Sequence, residues 1–99
     1  MKFKKILSLD IETRSDVDLV KRGVYNYVNT QNFCLLWVTW AYDYGELHTL
    51  DVWHNRLPQS LIDDIKDPEV LKIAANATFE RICFSRVFGV YLAPESWTC

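Results

Sequence analysis

Apolar and polar residues alternate along the first strand that the sequence predicts. Leu7 and Leu9 occupy one set of alternate positions, and Asp10 and Glu12 occupy the other set. Because successive side chains of a strand point to opposite faces, the two acids are expected to share a face. The segment 4–12 is otherwise apolar on both faces, which is typical of a central strand. The pattern therefore predicts a buried strand that ends in two carboxylates.

The rest of the pattern predicts strands and helices in a mixed order. The predicted elements are a short helical turn over 16–23, strands over 33–44, 47–53 and 70–75, and helices from 58 onward and over about 78–88. Turn residues at 43–46 join two of the strands as a hairpin. A helix links the hairpin to the strand over 70–75, so that strand is expected parallel to the first, through a right-handed crossover. The expected fold class is α/β, with a three-stranded antiparallel meander, a parallel strand and flanking helices.

Aromatic residues indicate where the core should form. Trp37 and Trp40 lie in the strand over 33–44, where packing in the core explains them better than stacking on nucleic-acid bases. One face of the last helix is also expected to be buried, with Gly89 ending that helix. The residues of that face are Phe79, Ile82, Cys83 and Val87.

Composition narrows the class of protein. A chain of 99 residues fits a single domain, expected over 1–99. Its net charge of −2 shows no basic surplus for nucleic-acid binding, so a bound metal or another domain would have to supply positive charge. The three cysteines, Cys34, Cys83 and Cys99, are widely spaced and suit reduced core thiols. With no signal peptide and no apolar run that could span a bilayer, we expect a cytoplasmic protein without a membrane partner.

A third acid is expected near the first two. Ligand sites in mixed sheets collect at the carboxyl ends of adjacent parallel strands. Asp10 and Glu12 end the first strand, and Glu80 follows the strand over 70–75, in the first turn of the last helix. The topology therefore predicts that all three acids meet at one edge. Each also has a purely structural explanation, because acids are common at sheet rims and an acid in a first turn complements the helix dipole.

Two segments of the chain resemble a known family. The sequence 9–13, LDIET, followed by 75–81, ANATFER, resembles the first two motifs of the DEDD 3′→5′ exonucleases. With 16–19, 23–25 and 97–99 included, the chain resembles the proofreading domain of phage-type family A DNA polymerases. The resemblance covers essentially the whole chain. It implies a ribonuclease-H-like fold.

The resemblance implies a site for two divalent metal ions, Mg²⁺ or Mn²⁺. Asp10, Glu12 and Glu80 would be the catalytic and metal-binding residues, with Asp10 bridging both ions. Two ions about 4 Å apart stabilise the attacking and leaving oxygens of an in-line phosphodiester hydrolysis. The implied activity is excision of nucleotides from DNA 3′ ends.

The resemblance also implies substrate contacts and partners. Thr13 would contact the 3′-terminal nucleotide through its backbone, and Asn76 and Phe79 would position the strand, although a core role explains Phe79 as well. The implied partners are the 3′ end of single-stranded DNA and the remainder of a DNA polymerase chain, in a bacterial cell or a phage-infected host. A sheet edge left open is an expected route to a homodimer.

Two departures from the family pattern matter. The family has Asp where this chain has Glu80, which places the geometry of the metal site in question. The third motif, Tyr or His followed four residues later by Asp, is absent after 97–99, so we expect an incomplete domain, with its last strands missing and inactive alone. A non-catalytic ribonuclease-H-like binding or structural module is the alternative. A phosphohydrolase of the haloacid-dehalogenase type is disfavoured, because Glu12 and Arg14 both depart from its pattern.

Overall fold

A computed structural model, which describes residues 2–99, shows one mixed β-sheet. The strands of these residues are β1 (Lys5–Arg14), β2 (Cys34–Tyr42), β3 (His48–Asp51), β4 (Val70–Ile73) and β5 (Trp97–Thr98). They lie side by side in the order β3-β2-β1-β4-β5. β1 and β3 are each antiparallel to β2, whereas β4 is parallel to β1 and β5 is parallel to β4. This α/β arrangement confirms the predicted meander and crossover and is consistent with a ribonuclease-H-like fold.

The helices begin and end where local chemistry favours it. Over residues 2–99 they are α1 (Leu19–Val28), α2 (Gln59–Lys66) and α3 (Ala77–Phe88). The Asp18 carboxylate accepts hydrogen bonds from the first backbone N–H groups of α1, and Pro58 directly precedes α2. Gly89 ends α3 in the left-handed conformation, with φ of 66°.

Helix α1 is longer than the predicted turn over 16–23. Gly23 has φ of 82° and ψ of 167°, so it interrupts the helix as expected, but a second helical segment follows it up to Val28. Val28 is buried against Ile82 and Cys83 of α3. This tertiary contact stabilises a second segment that the local pattern alone did not indicate.

The helices pack on one face of the sheet. The larger core cluster joins α2 and α3 to the sheet residues on this face, and a smaller cluster joins α1 to α3 beneath Ile11. The buried members of the larger cluster are Leu7, Leu9, Leu35, Val38, Leu61, Ile65, Val70, Phe84 and Leu92. Neither cluster of the described residues includes the opposite face of β1 and β2, where Asp10 and Trp37 lie. The sheet is therefore covered on one side only within residues 2–99.

A β-bulge separates Trp37 from Leu35 on β2. Glu12 pairs with Trp37, but the next residue, Thr13, pairs with Leu35, so Leu36 is an extra residue on β2. Leu35 consequently faces the core, while Trp37 faces the opposite side and is 46% exposed. The prediction that Trp37 is a core residue is wrong, whereas Trp40 packs against the core as predicted.

The strand β5 forms where the sequence predicts that a further strand begins, at 97–99. Trp97 and Thr98 pair with Lys72 and Ile73 of β4, so part of the strand expected to be missing is present. Lys72 is buried, and its Nζ donates to the Asp67 carbonyl oxygen at 2.7 Å and to Ser96 Oγ at 2.8 Å. Burial lowers the pKa of Lys72 to about 8.

Other predictions about exposure have mixed outcomes. Val87 is 42% exposed, so its predicted place in the core is wrong, and the neighbouring Phe84 is buried instead. The three cysteines are free thiols, of which Cys83 is buried, Cys34 half-buried and Cys99 exposed. The core role expected for Cys99 is therefore wrong. No helix in the described part of the chain is long and apolar enough to cross a membrane.

Candidate active site

Asp10 and Glu12 share one face of β1, as their alternation predicted. Asp10 lies opposite Thr39 of β2, and Glu12 lies opposite Trp37. Both acids are exposed, because this is the face that the helices leave uncovered. The expectation that they would be buried carboxylates is therefore wrong, and neither needs a cation merely to offset burial.

These residues line an open depression of about 320 Å³ on the sheet. Its lining residues are Asp10, Ile11, Glu12, Trp37, Thr39 and Thr49. The Oγ1 atoms of Thr39 and Thr49 are hydrogen-bonded across the strands at 3.1 Å. The lining contains two carboxylates and no lysine or arginine, so its field favours cations and repels phosphate.

Glu80 lies in the first turn of α3 and is only 5% exposed. Its Oε2 atom is buried and has no hydrogen-bond partner among residues 2–99. Burial raises the pKa of Glu80, and the negative charge of Asp10 raises it further. The backbone N–H groups of Glu80 and Asn76 partly oppose this shift in pKa. A buried carboxylate oxygen without a donor is costly, so this atom of Glu80 does not stabilise the fold.

The fold brings Asp10 and Glu80 together through the pairing of β1 with β4. These strands are parallel, and β1 extends beyond the end of β4 at Ile73, so Asp10 lies near the start of α3. At this position the negative charge of Asp10 adds to burial in raising the pKa of Glu80. Within residues 2–99, however, no group of three His, Cys, Asp or Glu side chains is arranged to hold a metal ion. The three-acid metal site stays a prediction.

The side chains present nevertheless suit a hard divalent cation. Mg²⁺ and Mn²⁺ prefer oxygen ligands, and these acids offer only carboxylate oxygens. The unpartnered Oε2 of Glu80 is an acceptor that a cation would satisfy. A cation near Asp10 and Glu80 would also cancel the repulsion that now raises the Glu80 pKa. Asp10, Glu12 and Glu80 therefore fit the two-ion site in their chemistry.

The residues predicted to contact substrate have structural partners. Thr13 Oγ1 is hydrogen-bonded to Tyr27 Oη at 2.9 Å, which ties the end of β1 to α1. The Asn76 side chain caps α3 by accepting from the Phe79 N–H at 3.4 Å. Phe79 is half-buried, with its ring centroid 5.9 Å from that of Tyr27. These contacts explain all three residues structurally, and their substrate roles stay predictions.

The sequence interpretation missed Trp37 as a residue of this site. Its size and its aromatic-rich strand indicated the core, but Thr39 carried the contrary signal. Thr39 lies two positions further along β2 and so shares a face with Trp37, and it is polar. Pairing β2 with β1 then places this face beside Asp10 and Glu12.

Comparison with known proteins relates the chain to a DNA polymerase. No protein-family model matches the chain. The chain is 38% identical, over 96 residues, to the DNA polymerase of Bacillus phage SP02. This match covers 96% of the chain but only 15% of the length of that polymerase. The chain is therefore similar to one segment of a DNA polymerase.

Proposed function

We propose that this chain is part of a metal-dependent 3′→5′ exonuclease domain of a DNA polymerase. Its substrate would be the 3′ end of single-stranded DNA, and the remainder of a polymerase chain would be its partner. The observation that carries the proposal is the buried Glu80 oxygen, which lacks a hydrogen-bond partner among the described residues and lies within the field of Asp10. The sheet order and the similarity to a DNA polymerase support it.

Each acid has a distinct part in the proposed site. Asp10 and Glu12 present exposed carboxylates on the open face of β1, where a substrate strand has access. Glu80 approaches from the covered side, held by the first turn of α3. Bound divalent ions would activate water and stabilise the charge that develops on the phosphodiester oxygens. The acidic lining of the depression makes DNA binding there depend on these ions, because the carboxylates alone repel phosphate.

Thermal unfolding of the 99-residue chain in millimolar Mg²⁺ or Mn²⁺ tests the metal site directly. An ion present at ten times its dissociation constant stabilises the folded state by about 1.4 kcal/mol. For a domain of this size, that free energy raises Tm by roughly 5–11 °C. We expect Asp10→Asn and Glu80→Gln to abolish the increase in Tm.

Two matched variants control for the loss of an acid elsewhere. Asp63→Asn on α2 and Glu46→Gln in the turn before β3 remove exposed carboxylates outside the depression, and both should retain the full metal effect. If the unmodified chain shows no metal-dependent change in Tm, the acids are solvated rim residues and the alternative, a non-catalytic module, is correct. Excision of 3′ nucleotides by a polymerase that carries this segment, lost in Asp10→Asn, would establish the activity itself.

A further inference from the structure

Trp37 is an exposed tryptophan on an interior strand of the sheet. β2 has a neighbour on each side, β1 and β3, yet 46% of Trp37 is exposed. Across the strands it lies opposite Glu12 on one side and Asp51 on the other. The large apolar ring is therefore flanked by acids and contributes nothing to either core cluster of the described residues.

The ring of Trp37 also has no aromatic or cationic partner among residues 2–99. The other tryptophans of the sheet do have such partners. Trp40 stacks on His48 with ring centroids 5.4 Å apart, and Trp97 packs near Phe84 and under the Lys72 ammonium. A free indole face beside a depression is a surface suited to stacking.

The charges around Trp37 restrict what can stack there. The depression contains Asp10 and Glu12 and no cationic side chain, so a phosphate can approach only with a metal ion between. A nucleobase is neutral and flat, and it meets no such repulsion. Directly opposite residues of antiparallel strands have Cβ atoms about 4.5–5.5 Å apart, so the indole adjoins the Glu12 carboxylate. One nucleotide can therefore place its phosphate at the acids and a base on the ring.

We propose that Trp37 is a stacking platform for a base of the single-stranded DNA whose phosphate is held through metal at Asp10 and Glu12. This inference rests on the proposed exonuclease function. It adds a residue that binds the DNA by stacking and not by charge. Stacking of this kind is tolerant of base identity, because every base has a flat face. Trp37 thus positions substrate for any 3′-terminal sequence.

Fluorescence anisotropy of a 5′-labelled oligothymidylate, titrated with the protein in Mg²⁺, tests the platform. Trp37→Ala should weaken binding roughly 5- to 150-fold, the effect expected for losing one base–aromatic stack. Trp37→Phe should restore much of the affinity, because it keeps an aromatic face. Trp53→Ala is the matched control, since Trp53 is also exposed but does not line the depression. Melting curves of each variant verify that it is folded.

A second measurement uses the unmodified protein and so does not depend on how a variant folds. Oligonucleotides with a single abasic position at each of the last three nucleotides are titrated in turn. One of them should lose affinity to the same extent as Trp37→Ala does on the intact strand. On Trp37→Ala, the same abasic oligonucleotide should show no further loss.

The outcomes separate this inference from the function on which it rests. If binding requires Mg²⁺ and Asp10 but is unchanged by Trp37→Ala and by every abasic position, the platform is wrong and the metal site stands. If the native protein shows no metal-dependent DNA binding, both proposals fail. If Trp37→Ala changes the mass by light scattering and not the DNA affinity, this face binds a second copy of the chain and the inference is overturned.

Discussion

Asp10 on β1 raises the pKa of Glu80 on α3, although three strands and two helices separate these residues along the chain. The interaction arises because β4 lies parallel to β1 and leads directly into α3. Glu80 is buried and Asp10 is exposed, so the buried acid bears the larger cost. The pair is unfavourable in the absence of a cation, which is common where a protein sacrifices stability for function.

Glu80→Gln should therefore stabilise the metal-free protein at neutral pH. The substitution keeps the shape of the side chain and removes a buried charge that Asp10 repels. We expect the free energy of unfolding to rise by roughly 0.5–2 kcal/mol, as for other relieved unfavourable sites. Urea denaturation in the presence of a chelator measures it. The exposed Glu12→Gln should change stability by no more than about 0.5 kcal/mol, and a loss of stability in Glu80→Gln would show that the carboxylate is well satisfied.

Asn76→Ala should destabilise the protein through the loss of a helix cap. The Asn76 side chain accepts from the Phe79 N–H at the start of α3, and such caps contribute about 1 kcal/mol. Asn76→Asp and Asn76→Ser keep an acceptor and should retain most of the stability, as measured by urea denaturation. If all three variants were equally destabilised, the amide would be held by something other than the cap.

Gly23→Ala should lower the free energy of unfolding more than the open surroundings of Gly23 suggest. A Cβ at this position would meet no atom within 4 Å, so any loss comes from the backbone alone. With φ of 82° and ψ of 167°, Gly23 occupies a conformation that essentially only glycine adopts, and a substitution there costs about 1–3 kcal/mol. Thermal or urea unfolding measures the change, and Gly89→Ala provides a second left-handed position for comparison. A loss of unfolding free energy below about 0.5 kcal/mol would mean that the backbone at residue 23 can adopt an ordinary conformation.

Lys72 should make the protein more stable as the pH rises from 8 to 10. Its pKa is about 8 in the folded protein, against 10.5 for a free lysine. Between these values the unfolded chain binds more protons than the folded one, so the free energy of unfolding increases with pH. Relative to Lys72→Met, the unmodified protein should gain about 1–2 kcal/mol over this range.

Urea denaturation at several pH values between 8 and 10 measures the difference between the two proteins. Lys66→Met, at an exposed position on α2, should follow the pH dependence of the unmodified chain. Parallel curves for the unmodified protein and Lys72→Met would show that Lys72 is charged and well solvated when folded.

Local patterns in the sequence predicted most of the sheet and the shared face of Asp10 and Glu12. The sequence correctly predicted that Asp10 and Leu9 lie on opposite faces of β1 and that Gly89 ends α3 in the left-handed conformation. Both features depend only on neighbouring residues. Burial depends on what covers each face of an element, and the prediction of burial was wrong for Trp37 and Val87. For Trp37, the polar Thr39 two positions further along β2 indicates the open face, but the size of the tryptophan ring outweighed that signal in the prediction.

The same limit applies to interactions between distant segments. Lys72 is buried because Ser96 and the Asp67 carbonyl lie beside it, a contact between β4 and the turn before β5 that no spacing along the chain indicates. The second half of α1 likewise depends on Val28 packing against α3. For the site, the sequence predicted that Asp10 and Glu12 share a face, but not that both would be exposed while Glu80 is buried.

The extra residue at Leu36 interrupts the alternation of side chains along β2 at one position. With Leu36 present, Leu35 turns into the core and Trp37 turns away from it. Deleting Leu36 would make Leu35 and Trp37 adjacent, and adjacent residues of a regular strand face opposite sides, so both side chains would keep their present facing. Variants should therefore tolerate the loss of Leu36 better than the loss of Val38, because deleting a regularly paired residue would exchange interior side chains for surface ones on one side of the deletion.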